Sequence, residues 1–188
     1  FTSLHAFSGA DGMAPATLTL ARDGSLYGAT QSGGTYSRGV VFKLSAGTVS
    51  ALYSLTPTDG SVQLSPLVEG SDGRLYASTD ATSVLSIQGD TVQPFVSLQF
   101  ANSRGPASTL VTGPDGAQYG TTVFGGLSGV GTIYRVSPAG VVTTVHSFRA
   151  EDSVRPLNGL VAGSDGVYGI TITGGSFGLG SVYRLGID

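Results

Sequence analysis

The chain repeats itself four times, and this constrains its fold more than any other feature. Asp-Gly pairs stand at Asp23-Gly24, Asp72-Gly73, Asp115-Gly116 and Asp165-Gly166, spaced by 49, 43 and 50 residues. A tyrosine follows each: Tyr27, Tyr76, Tyr119 and Tyr168. Three copies continue as Tyr-Gly-x-Thr (Tyr27 to Thr30, Tyr119 to Thr122, Tyr168 to Thr171), and the second reads Tyr76-Ala77-Ser78-Thr79. The same three copies then carry Gly33-Gly34, Gly125-Gly126 and Gly174-Gly175, followed by Gly39, Gly131 and Gly180. An apolar run with one embedded cation closes each of these copies: Val41-Phe42-Lys43-Leu44, Ile133-Tyr134-Arg135-Val136 and Val182-Tyr183-Arg184-Leu185. In the second copy Val84-Leu85-Ser86-Ile87 takes that place. From the threonine to the second residue of the run takes 12 positions in three copies and 6 in the second, so one six-residue deletion explains the short spacing.

Each copy also holds a segment in which apolar residues alternate with small or polar ones: Leu4-His5-Ala6-Phe7, Leu52-Tyr53-Ser54-Leu55, Phe95-Val96-Ser97-Leu98 and Val145-His146-Ser147-Phe148. Period-2 alternation is the signature of a half-buried strand. With an inner segment such as Leu160-Val161-Ala162, the unit has four short strands, A to D, and nowhere a sustained helical period. Four strands in about 45 residues, repeated, predict the blades of a β-propeller. The expected architecture is all-β and single-domain over 1–188, a four-bladed propeller with repeats near 1–48, 49–90, 91–140 and 141–188. Residues 1–8 read as a D strand that pairs with Val182 to Leu185 and closes the last blade, which removes open edges. A half-ring that pairs with a second copy into eight blades is the alternative, so monomer and homodimer both stand.

The string Arg22-Asp23-Gly24-Ser25-Leu26-Tyr27-Gly28-Ala29-Thr30, its counterpart Pro114-Asp115-Gly116-Ala117-Gln118-Tyr119-Gly120-Thr121-Thr122, the Gly-Gly pairs and the closing Val-Phe-Lys-Leu type of run resemble the GloVer tandem repeat of bacterial extracytoplasmic proteins. The resemblance covers nearly the whole chain; only the second copy departs, lacking Gly-Gly and the cation. It implies a propeller-like repeat in a secreted, periplasmic or cell-surface location, and it brings no catalytic residues with it. Gly113-Pro114-Asp115-Gly116, followed by an aromatic, is also similar to streptogramin lyase repeats. Their tryptophan and glutamate after the turn are missing here, and Trp is absent altogether, which speaks against that activity.

Composition trims the function classes. Nine Lys+Arg stand against 12 Asp+Glu, a net charge of −3. No basic surplus exists to neutralise a phosphate backbone, so a nucleic-acid partner is not expected. Without Cys there are no disulfides, thiolate zinc sites or Cys nucleophiles. Uncharged stretches are broken by Gly, Ser and Thr, so no membrane-spanning helix is predicted. The first residue is Phe, as in a processed or trimmed chain from which any signal peptide is gone. Gly, at 30 residues, is about twice its usual share of roughly 7%.

The A–B and C–D turns share one face of an up-and-down blade, leaving the B–C loops and D–A connections on the other, where candidate residues are sought. Asp-Gly in the A–B turn is a hairpin device, because Gly accepts positive φ and Asp bonds nearby amides. The B–C loops carry Tyr36 and Arg38, Phe124, and Phe177. They are not phosphate cradles: Val40, Thr132 and Ser181 follow the final glycine where a P-loop has Lys-Ser/Thr. The D–A connections carry Asp11, Asp59 and Asp152, with Glu151 beside the last and Arg104 in the third copy. Three such acids serve a hard cation, a catalytic pair or turn formation, and recurrence at one position favours turns. His5 and His146 occupy one strand position, where Tyr53 and Val96 stand in the other copies, which reads as packing. The deletion in copy 2 predicts a notch near Asp80, flanked by Tyr36, Arg38 and Phe124. Concave asymmetry of this kind suits a ligand.

These readings favour a binding or interaction module for an unidentified protein, glycan or small molecule, with no cofactor. An enzyme, hydrolase or lyase, with acids converging at the channel mouth is the first alternative, and a structural spacer the second. Aromatic loop residues without Trp weaken the glycan case but leave it standing.

Overall fold

The computed structural model describes residues 1–60, 66–80, 83–98, 109–149, 153–154, 156 and 159–187. The chain divides into two units, Phe1–Glu69 with Gly73–Phe95, and Gly70–Asp72 with Val96–Asp188. The first unit holds two antiparallel four-stranded sheets in sequential order. One is β1 (Met13–Leu20), β2 (Leu26–Ser32), β3 (Val40–Ser45) and β4 (Thr48–Ser54). The other is β5 (Val68–Glu69), β6 (Leu75–Ser78), β7 (Ser83–Gln88) and β8 (Thr91–Ser97), whose last two residues fall in the second unit.

The second unit contains a four-stranded sheet of β9 (Val111–Thr112), β10 (Gln118–Thr122), β11 (Thr132–Val136) and β12 (Val142–Ser147). A two-stranded ladder joins β13 (Ser153–Val154) to β16 (Thr173–Gly174). A three-stranded sheet runs β14 (Val161–Gly163), β15 (Gly166–Thr171) and β17 (Ser181–Gly186). Among the described residues there is no helix, and none long and apolar enough to cross a membrane. Each unit has its own core: Tyr27, Val41, Leu55, Leu67, Leu85 and Ile87 in the first, Tyr119, Ile133, Phe148, Leu160 and Val167 in the second.

Strand register explains the repeated motif. The B-strand tyrosines face one equivalent position on strand C: Tyr27 opposite Lys43, Tyr76 opposite Ser86, Tyr119 opposite Arg135 and Tyr168 opposite Arg184. The next residue is glycine because a C-strand ring lies across it. A Cβ on Gly28 would strike Phe42, one on Gly120 would strike Tyr134, and one on Gly169 would strike Tyr183. In the second repeat the facing residue is Leu85, which leaves room for Ala77.

Two turn types serve the Asp-Gly sites. In the first and third repeats Gly24 and Gly116, at φ +81° and +78°, close a bulged hairpin through Ala21 N–H to Ser25 O and Gly113 N–H to Ala117 O. In the fourth, Gly163 faces Gly166 across a two-residue turn. There the tyrosine follows Asp165 by three residues rather than four, and the shorter turn keeps Tyr168 in register.

Residues 1–8 depart from expectation. They form no strand, and among the described residues β17 has only β15 as a strand partner, so the predicted pairing with Val182 to Leu185 is not formed. The segment nevertheless packs as a D strand does. Phe7 sits edge-on to Phe42 at 5.1 Å, with His5 4.8 Å from Phe7. His146, Phe148 and Tyr183 repeat this at 4.8 and 5.3 Å. Both edges of β3 are occupied by β2 and β4, so the segment finds ring contacts there but no ladder.

Candidate functional site

The three long B–C loops are one module built from backbone hydrogen bonds. Ser37, Gly129 and Gly178 donate to the carbonyls of Gly34, Gly126 and Gly175, and Gly39, Gly131 and Gly180 donate to those of Gly33, Gly125 and Gly174. At the neck, the B-strand threonine hydroxyl accepts the N–H that opens strand C: Val40 to Thr30 at 2.9 Å, Thr132 to Thr122 at 3.1 Å and Ser181 to Thr171 at 3.0 Å. Such locking fixes the loop before any partner arrives and lowers the ordering cost of binding.

The locked loops point apolar side chains at solvent. Tyr36 is 52% exposed, Phe124 47%, Leu127 87%, Phe177 90% and Leu179 86%. Arg38 is exposed on the same loop as Tyr36. Leu127 and Leu179 were not singled out from sequence; they stand at loop positions where the first repeat has Thr35 and Arg38. Their signal was apolar character inside a segment that packing does not require.

The shortened loop of the second repeat keeps the neck. Ser83 N–H still reaches the Thr79 hydroxyl at 3.3 Å, and Thr79 N–H reaches Ser83 O at 2.9 Å. Asp80 is exposed beside it. Tyr36, Arg38 and Asp80 belong to the first unit, whereas Phe124 and Phe177 belong to the second. Arg104 and Asp152, with Glu151 and Arg155, lie outside the described residues.

The D–A acids are turn formers. Asp11 accepts from Ser8 N–H and Oγ, both at 2.8 Å, and its Oδ2 lies 2.7 Å from His5 Nε2. The Ser8 N–H, then the Ser8 hydroxyl and His5, hold its carboxyl well below the usual carboxylate range. Asp59 accepts from Thr56 N–H at 2.9 Å, Thr56 Oγ1 at 2.6 Å and Tyr53 OH at 2.7 Å. Burial pushes the Asp59 carboxyl up, but these bonds outweigh it and keep it below normal. Burial, then Asp59, pushes the Tyr53 phenol up to about 12. The histidine position is thus also a hydrogen-bonding one. The readable sign was a six-residue offset: His5 to Asp11, Tyr53 to Asp59, and His146 to Asp152, against Val96 to Asn102, where the strand position is apolar and the acid is replaced by an amide.

The hairpin aspartates form a second repeated cluster. Asp115 accepts from Tyr119 OH at 3.0 Å and Arg135 Nε at 2.8 Å. Asp165 accepts from Tyr168 OH at 2.7 Å and Arg184 at 2.6 Å. In the first repeat Tyr27 OH reaches Asp23 at 3.0 Å, while Lys43 turns to Asp90 of the next repeat at 2.8 Å. Lys43 therefore pairs between repeats, whereas Arg135 and Arg184 pair within their own. Among the described residues no group of three or more His, Asp or Glu is placed to hold a metal ion.

Two apolar grooves of about 320 Å³ flank the histidines. One is lined by His5, Phe7, Pro15, Phe42 and Leu44, the other by Ile133, His146, Phe148, Tyr183 and Leu185.

Comparison with solved structures places the chain among propeller-type folds. It is similar to virginiamycin B lyase from Staphylococcus aureus, at 17% identity and a TM-score of 0.56 over 93% of this chain and 56% of that one. The lyase's catalytically inactive H270A form with quinupristin aligns at 16% and 0.59, over the same shares of the two chains. The computationally designed Ika4 protein aligns at 15% and 0.60 over 92% of both chains. The chain spans a little over half the length of the lyase. No family model matches it, and no curated protein does.

Proposed function

We propose that this chain is a secreted or cell-surface binding module built of GloVer-type repeats, which presents its long B–C loops to a protein, glycan or small-molecule partner. The observation that carries this reading is the set of three hydrogen-bonded loops whose tips hold Tyr36, Leu127, Phe177 and Leu179 in solvent. Apolar side chains on rigid loops do nothing for the core, and they suit recognition because little freedom is lost on binding.

Four blades closed by residues 1–8, or a half-ring paired with a second copy, remain the arrangements proposed. The packing of Phe7 on Phe42, which repeats that of Phe148 on Tyr183, supports the segment's role as a D strand.

The enzyme reading has less support. Lyase and glycoside hydrolase appear among the similar structures, but at identities that speak for fold alone. Asp11 and Asp59 are both engaged in turns.

A thermal-shift screen against cell-wall glycans and small metabolites tests the proposal, since a ligand for the native state raises the melting temperature. A hit whose shift disappears in a Tyr36→Ser, Phe177→Ser variant supports the loop face. A hit indifferent to those changes moves the site elsewhere, and no hit across the panel favours the spacer.

A further inference from the structure

Inside each unit one sheet packs on the next in the same way, and the chain also displays each side of that contact unused. In the first unit Tyr27, Ala29 and Val41 share one face of the β1–β4 sheet. They lie in one core with Leu75, Ala77, Leu85 and Ile87, which share a face of the β5–β8 sheet. In the second unit Tyr119 and Ile133 lie in one core with Val167, Tyr183 and Leu185 in the same fashion. A tyrosine face thus meets the opposite kind of face on the following sheet.

Two such faces are left over. On the last sheet Tyr168, Ile170 and Val182 stand where Tyr27, Ala29 and Val41 stand on the first. Those three are 2%, 1% and 0% exposed, whereas Ile170 is 42% and Val182 77% exposed, with Val161 at 66% on the same face. On the first sheet Leu18, Leu20, Leu26, Phe42 and Leu44 share the other face. Leu26 and Leu44 are half-buried where their counterparts Leu75 and Ile87 are buried, and Leu18 and Leu20 are 55% and 68% exposed. Strands that are apolar on both faces belong between two layers. Phe7 is a second pointer. It sits on Phe42 as Phe148 sits on Tyr183, and Phe148 directly follows β12, the outer strand of a preceding sheet. Residues 1–8 therefore hold the place of an outer strand from a preceding sheet, and among the described residues β17 lacks that strand.

Both faces stand open on the same chain, so their occupant is another molecule. A second copy offers each face the counterpart that it already packs against inside the chain. We propose that the tyrosine face of the last sheet docks on the leucine face of the first sheet of a second copy, and reciprocally. This rests on the half-ring arrangement proposed above and names its contact, with residues 1–8 of the partner subunit as the fourth strand beside β17. Two identical contacts related by a two-fold axis close the assembly, so no face is left to grow a filament.

Sedimentation of the whole chain across about 1–100 μM, where a Kd near 1 μM is resolved, tests it. A species of twice the chain's mass is expected. Val182→Lys and Leu20→Lys alter side chains exposed in the single chain, so each keeps the wild-type circular dichroism. Each would bury an unpaired ammonium at both contacts and weaken the dimer at least about a hundredfold. Leu179→Lys, at a long-loop tip, should leave it intact. A monomer at about 100 μM, a dimer that survives both face variants, a mass that keeps climbing with concentration, or a dimer lost to Leu179→Lys each overturns the proposal. The loop-face reading fails separately, because its Tyr36→Ser, Phe177→Ser variant stays dimeric whether or not a ligand is lost.

Discussion

Gly120 shows how much one residue's identity is set by the residue opposite it on the neighbouring strand. The Tyr134 ring lies where its Cβ would be, and the same holds for Gly28 with Phe42 and Gly169 with Tyr183. Gly120→Ala is therefore expected to cost about 2 kcal/mol, as overpacking does. In a Tyr134→Leu background, which copies the Ala77–Leu85 pair, the same change should cost about 1 kcal/mol less, a coupling that urea unfolding of the four variants reads directly. Charge acts at this scale too. Burial pushes the Asp115 carboxyl up, but Arg135, the Ala117 N–H and Tyr119 together hold it below its ordinary value. A carboxyl whose pKa is lower in the folded state contributes stability above its unfolded value near 3.9, and loses that contribution as pH falls through the folded one. Asp115→Asn should therefore lower stability by about 1 kcal/mol at pH 7. The gap between variant and wild type should narrow steadily below about pH 4 in urea midpoints measured across pH. The Tyr-Gly-x-Thr motif was legible in sequence. Its cause was not, because the ring that demands glycine lies 14 residues further on.

Among the elements, the B–C loop shows what a repeat conserves when it varies its length. Thr79 and Ser83 keep the neck that Thr30 and Val40 make, although six residues between them are gone. The neck is therefore the structural unit and the loop above it is free to change. Within the long loops one position requires a left-handed backbone: Gly129 and Gly178 have φ of +73° and +71°, and Ser37 occupies the same place at +54°. Glycine adopts this region without steric cost, whereas a side chain does not. Ser37→Gly should raise stability by about 0.5–1 kcal/mol, the reverse of the usual sign for a change to glycine. Thermal unfolding of the single variant checks it, and a lower melting temperature would count against a shared loop conformation. The loops themselves were readable from Gly-Gly and the final glycine. Leu127 and Leu179 at their tips were missed because their one local signal, apolar character inside a loop, reads equally well as packing until tertiary structure shows the side chains exposed.

At the scale of the whole molecule, the sequence repeat carried most of the architecture: four sheets' worth of strands, their order and the absence of helix among the described residues. It failed at residues 1–8, whose alternation matches Val145-His146-Ser147-Phe148 yet forms no strand. Alternation reports which side chains share a face, but a strand also needs a partner edge, and that is not encoded locally. Phe7 on Phe42 and His5 on Asp11 tie the segment to the first unit. Deleting residues 1–8 should then expose Phe42 and remove about 2–3 kcal/mol, the order expected for losing one well-packed aromatic contact and its neighbours. Hydrogen exchange of the deleted chain separates the two roles proposed for the segment, since local openings report the elements that lose support. Faster exchange confined to β1–β4 would fit ring packing alone and leave closure by this strand without support. Faster exchange that also appears at Val182 to Leu185 of β17 would show that residues 1–8 hold the edge of the last sheet, as the proposed closed blade requires.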